Sequence, residues 1–145
     1  MKVLKIDPTE DTPAILLDAD KGVFKIIGIS MPEDAHLFYQ PMTEWISQYC
    51  TKPNPKTNFV FELEYFNSAS SQSILNIIRI VEEIHNHKTQ AAISWLYYPD
   101  NKDMKEAGKL FAELVTIPFK LIIQTQGNQT QGKLFKRIGR LLKNR

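Results

Sequence analysis

The chain is poor in several things, and each scarcity removes a class of protein. Cys50 is the single cysteine, which excludes an internal disulfide framework and a cysteine-based zinc cluster. No apolar run approaches the ~18 residues that a membrane-spanning helix needs. Residues 1–7, Met-Lys-Val-Leu-Lys-Ile-Asp, lack the long apolar stretch of a secretory signal, so a cytoplasmic location is expected. The six glycines are scattered and build no phosphate-cradling loop. No serine sits in a Gly-x-Ser-x-Gly nucleophile elbow. With no convergent catalytic set, an enzyme is the weakest reading, and no cofactor is expected.

What is present is an ordinary globular balance: 145 residues, 43% hydrophobic and 23% charged. That is room for one domain with a real core. The net charge of +2 conceals an uneven distribution. Residues 133–145 hold six cations, Lys133, Lys136, Arg137, Arg140, Lys143 and Arg145, and no acid. The twelve remaining cations face sixteen acids, so residues 1–132 carry about −4. An acidic body with a basic tail does not suit a nucleic-acid binder, which gathers its cations on a folded face.

Periodicity divides the body into alternating elements. Ala14–Leu17 and Val23–Ile29 read as strands, and the turn chemistry of Asp18-Ala19-Asp20-Lys21-Gly22 makes them a hairpin. Residues 1–6 are a candidate edge strand in front. Pro32-Glu33-Asp34 suits a helix start, and Phe38, Met42, Trp45, Ile46 and Tyr49 then share a face, with a kink expected at Pro41. Residues 59–66 alternate: Phe59, Phe61, Leu63 and Tyr65 on one side, Val60, Glu62, Glu64 and Phe66 on the other. Glu62 and Glu64 therefore make the second side at least partly wet. Ile74, Ile77, Ile78, Val81 and Ile84 form an amphipathic helix, Ala91–Tyr98 a strand, Met104–Leu114 a helix and Phe119–Ile123 a last strand. The order β-β-α-β-α-β-α-β implies an α/β domain over residues 1–126, with a mixed sheet and helices mainly on one face. Residues 127–132 read as a polar linker and 133–145 as a tail.

In the tail, Leu134, Phe135, Ile138, Leu141 and Leu142 fall on one helical arc, and Lys133, Lys136, Arg137, Arg140 and Lys143 on the other. Packing on the domain, weak contact with the inner membrane surface and docking to a partner all fit this basic amphipathic pattern. His85 and His87 are two apart, so they face different ways on a helix and make no metal pair. Glu62 and Glu64 fit a solvated sheet face better than paired catalytic acids.

The junction at 63–73, Leu-Glu-Tyr-Phe-Asn-Ser-Ala-Ser-Ser-Gln-Ser, joins a strand to a helix. A serine there can cap the helix by accepting from its free N–H groups. It can also accept a phosphoryl group, whose ~1.5–2 negative charges the helix N-terminus tolerates.

With these residues in view the chain resembles the SiaC-type regulatory phosphoproteins, long known as a bacterial domain of unknown function. The resemblance rests on residues 8–13 (Pro-Thr-Glu-Asp-Thr-Pro), on 31–35 (Met-Pro-Glu-Asp-Ala) continuing through Phe38-Tyr39 to Trp45, and on 63–70 (Leu-Glu-Tyr-Phe-Asn-Ser-Ala-Ser). Trp95, Tyr97, Phe111 and Pro118-Phe119 extend it to about residue 125. It implies a fold similar to the STAS domains of anti-anti-sigma factors and a protein without catalysis of its own. The family's acceptor, a Thr after Asn, maps onto Ser68 after Asn67, with Ser70 and Ser71 as alternates. The resemblance further implies a kinase of the histidine-kinase-like ATPase fold, a PP2C-type phosphatase, and a diguanylate cyclase bound by the unphosphorylated form. Tyr65, Phe66, Asn67 and Ser70, with Glu62 and Glu64, are then expected to border the docking surface. The competing reading is a peripheral membrane or scaffold adaptor working through the tail, with Ser68 only a helix cap.

Overall fold

A computed structural model describes residues 1–124. The expected linker (127–132) and basic tail (133–145) lie outside the described residues. Six strands form one sheet in strict sequence order: β1 (Leu4–Ile6), β2 (Ala14–Asp18), β3 (Val23–Ser30), β4 (Lys56–Phe66), β5 (Gln90–Tyr97) and β6 (Phe119–Ile123). The first three pair antiparallel, β1 and β2 through the loop 7–13 and β2 and β3 through the turn 19–22, and β3 to β6 run parallel. Each parallel step is a crossover through a helix: α1 (Ala35–Tyr49), α2 (Ser68–Ile84) and α3 (Lys102–Leu114). Crossovers are right-handed almost without exception. Three of them stepping in one direction put all three helices on the same face.

Alternation along each strand agrees. Phe24 and Ile26 on β3, Phe59, Phe61 and Leu63 on β4, and Ile93 and Trp95 on β5 are all buried beneath the helices. The opposite face carries Leu16, Lys25, Ile27, Val60 and Lys120, partly or well exposed. Pro41 sits within α1, which runs unbroken past it. Glu62 differs from expectation. It lies on the helix-free face, yet it is only 8% exposed. The central strand is flanked on both sides, and the Gln124 side-chain amide donates to its carboxylate at 3.4 Å.

The alternation read from residues 59–66 fails at one point, for an identifiable reason. Gly28 pairs with Leu63, but Ile29 pairs with Tyr65, so the register skips Glu64. This bulge reverses the two residues after it. Tyr65 faces solvent at 48% exposure. Phe66 turns under α3, with ring centroids 6.2 Å from Trp95 and 6.0 Å from Phe111. The Glu64 carbonyl takes the Asn101 side-chain amide at 3.0 Å, and Asn101 also caps α3. The bulge and the start of α3 are thereby joined.

Trp95 is the seat of α3. Its Nε1–H donates to the Met104 carbonyl at 2.9 Å, and Gly108 lies directly over the ring. A Cβ at position 108 would stand 2.5 Å from Trp95 Cδ1 and 2.7 Å from Leu121 Cδ2. Gly108→Val should therefore push α3 off the sheet at a cost of about 1–3 kcal/mol. Its urea midpoint should fall with the m-value unchanged, and a midpoint equal to wild type would contradict this packing.

Candidate functional site

β3, β4 and β5 each end at the same edge of the sheet and lead into α1, α2 and α3. Three helix N-termini thus converge there, each with partial positive charge. Asp34, Asn67 and Asn101 cap them. At the central one, the Asn67 side-chain oxygen accepts from the Ser70 N–H at 2.9 Å. Asn67, not Ser68, is the cap. This corrects the reading of Ser68 as only a helix cap, and the signal for it is an Asn directly ahead of the helical run.

Ser68 is the first residue of α2, and its side chain is exposed. Neither its hydroxyl nor the N–H groups of Ser68 and Ala69 have a hydrogen-bond partner among the described residues. The site is an unengaged hydroxyl beside unengaged donors at a helix N-terminus. Such a place accommodates a negative group.

Ser70 is the opposite case. It is fully buried and belongs to a chain of hydroxyls. Its Oγ–H donates to the Ser30 carbonyl at 3.1 Å, and it accepts from Ser30 Oγ at 2.8 Å. With the Ser30 proton committed, Tyr39 must donate to Ser30 Oγ across their 2.6 Å contact. The Ser30 carbonyl also accepts the Asn67 N–H at 3.0 Å. Every member is satisfied, as a buried polar network requires. Ser70 was expected as an alternate acceptor and as part of the docking border. In this fold its hydroxyl reaches neither a kinase nor a partner, because it holds α2 to β3. Nothing in the local sequence marks Ser30 or Tyr39 as its partners, since they lie 40 and 31 positions away.

The other expected residues divide. Tyr65 is exposed beside the junction, and Phe66 and Asn67 are half-buried. Ser71 is half-buried, one turn along α2 from Ser68. Glu62 stays beneath the sheet's other face, away from Ser68. Glu64 bulges toward Tyr98. One of its carboxylate oxygens is buried without a hydrogen bond among the described residues, and burial holds its carboxyl above the usual range. Burial, then the nearby Glu64 charge, raises the Tyr98 hydroxyl in turn. His85 joins the turn after α2, where its Nδ1 accepts from the Ala91 N–H at 3.0 Å. Lys133, Phe135, Lys136, Arg137, Arg140 and Lys143 lie outside the described residues.

Comparison with known proteins adds an independent line. A family model described as SiaC family regulatory phosphoprotein matches residues 6–124. An uncharacterized protein of Pseudomonas aeruginosa (strain UCBPP-PA14) is 26% identical over 121 residues, covering 83% of this chain and 96% of its own. Among solved structures, apo-SiaC of Pseudomonas aeruginosa superposes with a TM-score of 0.77 at 25% identity, over 84% of this chain and 99% of that one. SiaC in complex with the diguanylate cyclase SiaD, of which it is the activator, gives 0.78 at 25% identity, over 83% and 99%.

Two substitutions two residues apart should behave differently. Ser70→Ala leaves buried Ser30 without its acceptor and should cost about 1–3 kcal/mol. Ser68→Ala removes no contact and should stay within about 0.5 kcal/mol of wild type by urea denaturation. A pH dependence follows as well. Burial raises the Tyr39 hydroxyl to about 12. A raised phenol stabilises the fold below its unfolded value near 10, and that stability is lost as pH climbs through the folded value. Wild type should therefore lose on the order of 2 kcal/mol more than Tyr39→Phe between pH 9 and 12. Parallel losses in the two proteins would show that Tyr39 does not carry the effect.

Proposed function

The chain belongs to the SiaC family of regulatory phosphoproteins, and we propose that it acts as a non-catalytic switch whose phosphorylation on Ser68 controls docking to a partner protein. The observation that carries this reading is the state of Ser68: exposed, first in its helix, and relieved of capping by Asn67. A phosphate there is tolerated by the N-terminus of α2 and disturbs no buried contact. The fold persists while the surface gains ~1.5–2 negative charges.

The partner class follows from the SiaC relative that is solved with a diguanylate cyclase. In this chain the unphosphorylated form would be the one that binds such a cyclase. A kinase of the histidine-kinase-like ATPase fold would add the phosphate and a PP2C-type phosphatase would remove it. Tyr65 and Phe66, which follow the bulge, border the docking surface. Glu64 supports the same placement, since its buried oxygen has no hydrogen bond among the described residues and a partner's cation or N–H would satisfy it. Ser71 is the alternate acceptor that the fold leaves partly accessible.

Tandem mass spectrometry on the protein purified from its own cells, under two growth conditions, tests the acceptor. The expected result is a phosphate on Ser68 whose occupancy changes. Full peptide coverage with Ser68 unmodified throughout would overturn the assignment. For docking, Ser68→Ala should bind the cell's diguanylate cyclase as wild type does. Ser68→Asp should bind about tenfold more weakly or worse, as a charge placed against an interface does. Equal affinities for the two variants would end the switch reading.

A further inference from the structure

Among the described residues, nothing covers the side of α3 turned toward α2. Leu110 and Leu114 are 62% and 53% exposed there, and with Phe66 they floor a groove of about 460 Å³. Asp103, Glu106 and Glu113 line it, and among the described residues no Lys or Arg does. An ion pair at its rim, Glu106 with Lys109 at 3.6 Å, is exposed and weak. An apolar floor with acidic walls fits a basic amphipathic helix.

The chain contains a segment of that pattern. In residues 133–145, Leu134, Phe135, Ile138, Leu141 and Leu142 share one helical arc, with Lys133, Lys136, Arg137, Arg140 and Lys143 opposite. Thirteen residues make a helix about 20 Å long, the length of α3. The described chain ends at Gln124, just past β6, and α3 packs on β6. The eight residues from 125 to 132 span at most ~27 Å, which is ample to cross a helix ~10–12 Å wide. The segment is also additional to the family fold. The family match stops at residue 124, and the solved relatives are spanned over 99–100% of their length by 83–86% of this chain.

We propose that residues 133–145 dock in cis into the groove between α2 and α3, with the apolar arc on Leu110 and Leu114 and the cations facing Asp103, Glu106 and Glu113. The docking stands without the Ser68 switch. If Ser68 is phosphorylated, one consequence follows from that reading. Ser71 lines the groove and Ser68 lies one turn before it, so the phosphate adds to the acidic wall and tightens the segment's hold.

The test uses the full chain with Cys50→Ser, carrying Ile138→Cys with either Leu110→Cys in the groove or Leu16→Cys on the helix-free sheet face. Under diamide at low protein concentration, the 110–138 disulfide should form within the monomer at least about tenfold faster than the 16–138 disulfide. Adding Glu106→Lys and Glu113→Lys should slow it several-fold, since the exposed attraction is electrostatic. Equal rates, a faster 16–138 pair, or disulfides only between chains would each overturn the inference, the last pointing to a second copy in the groove. So would failure of the 110–138 pair in a chain that floats with phosphatidylglycerol vesicles, since the arc then serves a lipid surface. A second measurement needs no new cysteine. In the otherwise native chain, Glu106→Lys with Glu113→Lys should speed tryptic cleavage after Arg137 and Arg140 about tenfold, with the urea midpoint of the domain unmoved. Unchanged cleavage would also overturn the docking.

Discussion

The carbonyl of Ser30 is the point on which the functional end of the molecule depends. It ends the buried strand β3, and it accepts both the Asn67 N–H and the Ser70 hydroxyl. Its own side chain carries the line on to Tyr39 in α1. Two helices and two strands therefore meet through one residue. Because the first turn of α2 is held on its inner side by backbone and side chain alike, Ser68 on the outer side has no structural duty. The chemistry available at Ser68 is a by-product of how completely Ser70 is committed.

Electrostatics at this edge are a balance of unlike contributions. The converging helix N-termini favour anions, while Glu64 and the acids of α3 disfavour them. Helix-terminal fields fall off within a turn. The charge of a phosphate on Ser68 would therefore be absorbed locally by α2 yet still felt by anything approaching α3. A single modification can in this way leave stability unchanged and alter association.

Much of this was legible in the sequence, and the exceptions have physical causes. The hairpin, the order of strands and helices and the one-sided packing follow from turn residues and periodicity, which are local signals. The junction at Asn67-Ser68 was legible because a strand ran directly into a helical pattern. The bulge at Glu64 was not, since period-two alternation carries no mark for an inserted residue, and the error exchanged the roles of Tyr65 and Phe66. Glu62 was misjudged because a carboxylate on a polar-looking face reads as wet, whereas a central strand can be covered by its neighbours. Ser70 looked interchangeable with Ser68. Only the fold brings Ser30 and Tyr39 to one of them and not to the other.

The strictly sequential strand order has a further consequence, for the route by which the chain assembles. No strand must wait for a later one to be inserted beside it. Each pairing becomes available as soon as the next strand leaves the ribosome, so the sheet can grow from β1 outward during synthesis. The loops to be closed are short, about the length of one crossover, which favours rapid folding. A nascent chain released only to the end of α2 already contains Ser30, Tyr39, Asn67 and Ser70. The hydroxyl chain that frees Ser68 can thus form before α3, and the groove beside it, have been made.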